Sequence, residues 1–202
     1  MFQVSGYQFS VPEFSERRKA LFLPITVSWG WATWKRAWRQ FDPQASGWQR
    51  LRRDTRFRRK FNVNGVYDYA TMMLRQAQGV RDSWAIRWYW TVFKNDGLTL
   101  FPPRTLVRNT GFDGSGTHGK GKLRNFSGDS GDLVEINLPE WPQVSLVHTD
   151  FRIVQSALWR MNGRFLGASI DKARWYSTLF AANFSQKKFF RQQANRTRNG
   201  NE

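Results

Sequence analysis

Three segments of the chain carry residue types able to do chemistry. The first, Ser28-Trp29-Gly30-Trp31-Ala32-Thr33-Trp34, sets three indoles around two small residues. Indole faces stack on sugars or bases, and Gly and Ala let the backbone come close to a ligand. The same alternation describes a strand whose Trp29, Trp31 and Thr33 pack against helices behind it, and for any single indole packing is the commoner role. The second, Asp82-Ser83-Trp84-Ala85-Ile86-Arg87-Trp88, puts a carboxylate ahead of a Trp-led stretch. An Asp or Ser at that place suits the N-cap of a helix, worth about 1 kcal/mol. The third, Asn109-Thr110-Gly111-Phe112-Asp113-Gly114-Ser115-Gly116-Thr117-His118, is glycine-rich and lacks periodicity, which marks a loop. It is not a P-loop, because no Gly-Lys-Ser/Thr ends it. His148 has no His or Glu at metal-ligand spacing and reads as structural.

The elements that would position these segments follow from the apolar pattern. Phe2 to Phe9 alternates like a strand, and Leu21 to Val27 is a short apolar, partly β-branched run that suits a buried strand feeding the first Trp cluster. Between Lys35 and Gly79 the spacing turns helical, with Trp34, Trp38 and Phe41 at i, i+4 and i+7 and with Gly47, Gly65 and Gly79 as punctuation. A helix is expected from Ser83 to Asn95, with Gly97 just past its end. Leu98 to Phe101, Thr105 to Val107 and Val144 to Val147 read as short strands, and helices are expected near Asp150 to Met161 and Asp171 to Asn183. The division expected is one domain over residues 1–184, containing a long loop at 109–131, and a basic tail at 185–202.

Composition restricts the classes of function. At 202 residues with 40% hydrophobic and 23% charged side chains, the chain can bury a core and is not a disordered segment. It has no Cys, so it has no thiolate nucleophile, thiolate zinc site or disulfide framework. No apolar run approaches the roughly 18 residues of a membrane helix, and the reading is a cytoplasmic protein. A formal charge of +17, from 32 Lys and Arg against 15 Asp and Glu, calls for an anionic partner. Seven of those cations, Arg50, Arg52, Arg53, Arg56, Arg58, Arg59 and Lys60, crowd one short stretch. Such a face is usually solvated; it also suits peripheral contact with the anionic inner face of a membrane, or a nucleic acid. No RNP-like strand, zinc spacing or helix-turn-helix signature supports a nucleic-acid module, which stays as the alternative beside a non-catalytic interaction protein.

In this order and spacing the three segments resemble a family of bacterial nucleotide-sugar glycosyltransferases, distantly similar to the N-acetylglucosaminyltransferase I type with a GT-A fold. The resemblance runs from about Val4 to Gly119. It implies an α/β fold, helix-rich and of α+β character, corresponding to the C-terminal, acceptor-side part of such a domain with an incomplete nucleotide-binding sheet. Family members usually begin with a βαβ half that ends in an Asp-x-Asp-like metal motif, and no paired acidic motif precedes Ser28. The expectation is therefore a truncated enzyme with no cofactor of its own, a divalent ion such as Mn²⁺ belonging with the missing half.

The resemblance also assigns roles. Asp82 matches the acidic residue ahead of the family's Trp-led helix, and a carboxylate there would take the proton from an acceptor hydroxyl, a role worth roughly 10²- to 10⁴-fold in rate. Contacts to substrate fall to Trp29, Trp31, Trp84, Arg87, Arg108, Asp113, Gly114 and His118. The glycine-rich loop would close as a lid, with His118 or Arg108 toward the diphosphate. The implied partners are a nucleotide-sugar donor and a glycan or polysaccharide acceptor.

Overall fold

A computed structural model describes residues 1–108 and 144–161. Within them the chain is mixed α/β, with one open four-stranded sheet and six α-helices. The strands are β1 (Gln3–Ser5), β2 (Leu21–Leu23), β3 (Trp31–Thr33) and β4 (Thr99–Phe101), and a single 3₁₀ turn at Pro12–Phe14 lies between β1 and β2. The helices are α1 (Lys35–Trp38), α2 (Arg50–Arg53), α3 (Thr55–Phe61), α4 (Tyr69–Ala77), α5 (Trp84–Lys94) and α6 (His148–Met161).

The sheet order is β2-β4-β1-β3. β4 lies parallel to β1, and the two edge strands run antiparallel to their neighbours. With only three residues each, the strands draw their stability from what they cover. Alternation sends Leu21, Leu23 and Phe101 to the main core and Phe22 and Leu100 to a small second cluster on the other face. Gln3, Ser5 and Thr99 form a buried polar stripe on the sheet. Gln3, at 0% exposure, has both polar side-chain atoms paired: Oε1 accepts from the Trp88 indole N–H at 2.6 Å and Nε2 donates to the Val27 carbonyl at 2.7 Å.

The long helical stretch expected between Lys35 and Gly79 is four short helices. Left-handed backbone at Ala45, Gly47, Val63, Asn64 and Gly65 turns the chain between them. Asp54 caps α3 by accepting from Phe57 N, and Asp68 caps α4 by accepting from Thr71 N. Helix α5 occupies the span its periodicity predicts, and Ile86, Trp88, Tyr89, Trp90, Thr91 and Val92 are all buried. Ser83 is its N-cap by backbone geometry, but neither Ser83 nor Asp82 bonds its orphan N–H groups through a side chain. Two expected strands are absent: Thr105 to Val107 and Val144 to Val147 are irregular, although Leu106 N does bond Gly6 O at 2.7 Å.

Helix α6 begins two residues before the expected start and buries Val154, Ala157 and Leu158 in the main core. Two ion pairs fix it to the segment before β2: Arg17 grips Asp150 through both oxygens at 2.9 and 2.7 Å, and Arg160 grips Glu13 at 2.8 Å. The helix expected at 171–183, the tail and the loop at 109–131 lie outside the described residues.

Candidate functional site

The Trp-rich segment and the start of α5 meet at a cleft of about 210 Å³. Thr26, Val27, Ser28 and Trp29 form one wall; Trp84, Ala85, Ile86, Trp88 and Tyr89 form another. Tyr7, Phe9, Tyr67, Tyr69, Met72 and Leu158 complete it. None of these lining side chains carries a charge. The surface is aromatic and aliphatic, with hydroxyls from Thr26, Ser28 and the tyrosines interspersed, a composition suited to an uncharged ligand.

Gly30 determines how the indoles divide. Its φ of +50° is left-handed, so the chain reverses its side-chain direction between Trp29 and Trp31. Trp29 turns to the main core and meets Tyr7 edge-on at 4.7 Å. Trp31 joins a separate cluster with Trp38, Phe41 and Trp88 and stacks on Trp84 at 5.3 Å with 22° between planes. The single strand face suggested by alternation thus holds only for Trp31 and Thr33, which do lie in β3. Trp84, at 42% exposure, stands at the cleft mouth with Trp31 supporting it from outside the lining. A side chain at Gly30 would run into Cγ1 of Val107.

Four tyrosines line the cleft. Tyr67 and Tyr69 contact at 4.5 Å, Tyr69 and Tyr89 at 4.4 Å, and the Tyr89 hydroxyl donates to Phe61 O at 2.8 Å. Burial pushes the Tyr7 hydroxyl up to about 12. Burial also raises Tyr69 and Tyr89 above the ordinary phenol range, with a smaller contribution from the neighbouring tyrosine in each case, although part of the Tyr69 ring still faces the cleft. At neutral pH these phenols are protonated hydrogen-bonding groups. They are not bases.

Among the described residues, the cleft lining carries no carboxylate. Asp82 lies two residues ahead of Trp84, with its side chain 86% exposed. It is not the helix cap; its Oδ1 accepts from the Arg87 guanidinium at 2.7 Å. Arg87, 21% exposed, also donates to Pro43 O at 3.3 Å, so it is held on the side of α5 away from the cleft lining. Arg108 is exposed and directly follows Val107, the residue packed on Gly30. The structure thus brings together Trp29 and Trp84 and backs Trp84 with Trp31, while Asp82 pairs with Arg87 outside the cleft lining. Asp113, Gly114 and His118 lie outside the described residues.

Among the described residues, no group of three or more His, Cys, Asp or Glu stands close enough to hold a metal ion. The divalent ion that the glycosyltransferase resemblance implies finds no ligand set there. No helix among the described residues is long and apolar enough to cross a membrane.

Comparison of the chain with family models, with curated proteins and with solved structures finds no match. The site therefore rests on its own geometry. The tyrosines are what the sequence left unmarked: Tyr67 and Tyr69 sit two apart and Tyr7 and Tyr89 are distant, so no spacing announces that they share a cavity. The one available signal was that Tyr69 begins an apolar helical face.

Proposed function

We propose that the chain is the acceptor-side part of a glycosyltransferase, binding a sugar ring of a glycan or polysaccharide in the aromatic cleft for transfer from a nucleotide-sugar donor. The observation that carries this reading is the cleft walled by Trp29, Trp84 and four tyrosines, none of its described lining residues charged, with Asp82 two residues ahead of Trp84 in the chain. A pyranose presents an apolar C–H face to indole and hydroxyls to phenol and Ser28, and it needs no buried ion to hold it. Asp82 is the proposed general base. Arg87 occupies one of its oxygens and fixes the carboxylate, and the exposed remainder is open to an incoming hydroxyl. Arg52, Arg53 and Arg56, all exposed on α2 and α3, support peripheral contact with an anionic membrane surface carrying the acceptor.

The test has two arms. Titration of the chain with neutral mono- and oligosaccharides, followed by tryptophan fluorescence, is expected to show saturable binding that Trp84→Ala weakens and Asp82→Asn leaves intact. Assay of the protein, together with any sequence encoded upstream in the same frame, with nucleotide-sugars and Mn²⁺ is expected to show transfer that Asp82→Asn lowers by roughly 10²-fold or more. Absence of both sugar binding and donor turnover sinks the reading. Sugar binding without turnover in any arrangement leaves a glycan-binding protein and removes the enzymatic part.

A further inference from the structure

Tyr89 also lines a second, larger cavity of about 740 Å³, within the size range of small-molecule sites. Its character is different. One face of α6 supplies His148, Arg152 and Gln155, whose spacing of four and three places them in line along the helix. Lys60, from the last turn of α3, adds a second permanent cation, and Asp96 is the only carboxylate among the described lining residues. Asp96 holds the Lys60 ammonium at 3.0 Å, and that ammonium lies 5.7 Å from the centre of the Phe93 ring. Cation and aromatic face are therefore adjacent on one wall.

The backbone of this cavity is unusual as well. The described residues contain four non-glycine positions with left-handed backbone, and three of them, Val63, Asn64 and Asp96, line it. For β-branched Val63 that conformation is strongly disfavoured, and such strain persists where surrounding structure holds it and gathers at ligand sites. Here Gln155 Nε2 donates to the Val63 carbonyl at 3.2 Å, so α6 itself braces the turn that forms the wall.

We propose that this cavity is a binding site for a phosphorylated, ring-bearing small molecule of the nucleoside monophosphate class. The ring lies against Phe93 and Phe151, and the phosphate is held by Arg152 and Lys60 with His148 beside them. Asn64 and Gln155 supply the amides able to read polar ring edges. The site is separate from the aromatic cleft and does not depend on what binds there.

The test is calorimetric titration of the whole chain, at low salt, with UMP and AMP, the corresponding nucleosides, and inorganic phosphate. At least one nucleotide is expected to bind, with its nucleoside and phosphate alone each weaker by about tenfold or more. Arg152→Gln and Lys60→Gln, both at exposed positions, are each expected to lower nucleotide affinity by about five- to tenfold while leaving the melting curve in place, and Trp84→Ala is expected to change nothing. No binding of either nucleotide at millimolar concentration overturns the proposal. So does wild-type affinity in both cation variants. Phosphate binding as tightly as nucleotide refutes the ring contact, and loss of nucleotide binding in Trp84→Ala moves the site to the other cleft.

Discussion

Replacing Gln3 by Met tests whether one buried amide holds the aromatic cleft in shape. Methionine nearly matches glutamine in length and volume, so the change removes hydrogen bonding with little cavity. Two groups lose their partner: the Trp88 indole N–H, inside a residue only 1% exposed, and the Val27 carbonyl, which is half-buried and within reach of water. A buried donor left unpaired costs about 1–3 kcal/mol, and the carbonyl adds the smaller end of that range because solvent can replace its partner. Burying a thioether where an amide stood returns a fraction of this. The net expectation is a loss of about 2–3 kcal/mol, or roughly 4–12 °C in melting temperature for a chain of this size. Thermal unfolding by calorimetry measures it. Near-UV circular dichroism should change too, since Trp88 sits among Trp31, Trp38 and Phe41. Because Val27 and Trp88 both line the cleft, sugar affinity should fall in the folded variant. A melting shift under about 1 °C, with near-UV signal and affinity unchanged, would refute the idea that Gln3 ties β1 to the cleft wall.

Arg17→Ala leaves Asp150 buried without its guanidinium; loss of a partner in a buried pair costs about 3–5 kcal/mol, reduced here to about 2–3 because Arg17 is partly exposed, and denaturant unfolding should show it. Gly30→Ala is expected to lose about 1–3 kcal/mol from left-handed backbone alone, and Val107→Ala in the same chain should relieve the overlap without restoring that part. Tyr7 holds its proton more tightly folded, at about 12, than unfolded, near 10. Its contribution to stability is complete below pH 10 and is lost as pH rises toward 12, with Tyr69 and Tyr89 acting in the same direction, so unfolding followed across that window should be less steep in Tyr7→Phe. Asp68→Ala should cost about 1 kcal/mol through loss of the α4 cap, while Asp68→Asn keeps most of it.

The parts of the fold legible in the sequence are those where one pattern dominates. Helix α5 was readable because eight of its eleven residues are apolar or aromatic, between a polar start and Gly97. Strands β2 and β4 were readable as short apolar runs. What failed has a common cause, namely single backbone torsions that periodicity does not encode. Nothing in the letters marks Val63 or Ala45 as left-handed or Asp54 as extended, and the turns at those residues break one apparent helical stretch into four. Gly30 was read as permissive, which it is, yet its effect is to send Trp29 and Trp31 to different clusters. Asp82 shows the reverse case: its sequence position ahead of α5 suggests a cap, and a long-reaching Arg87 five residues on claims the carboxylate instead. The second cavity was invisible for a simpler reason. Lys60 and Arg152 are far apart in sequence and share no motif, so only the docking of α6 joins them.

That docking has a consequence for how the protein is made. Helix α6 supplies Leu158 to the aromatic cleft and an entire wall to the second cavity, yet the strands and α5 are complete in the chain long before it. At ordinary translation rates several seconds separate emergence of Tyr89 from emergence of His148. During that interval the nascent chain carries an uncovered floor of Tyr7, Phe61, Val63 and Tyr89, and Arg17 waits without Asp150. The helix that completes both cavities is thus also the cover of that apolar floor.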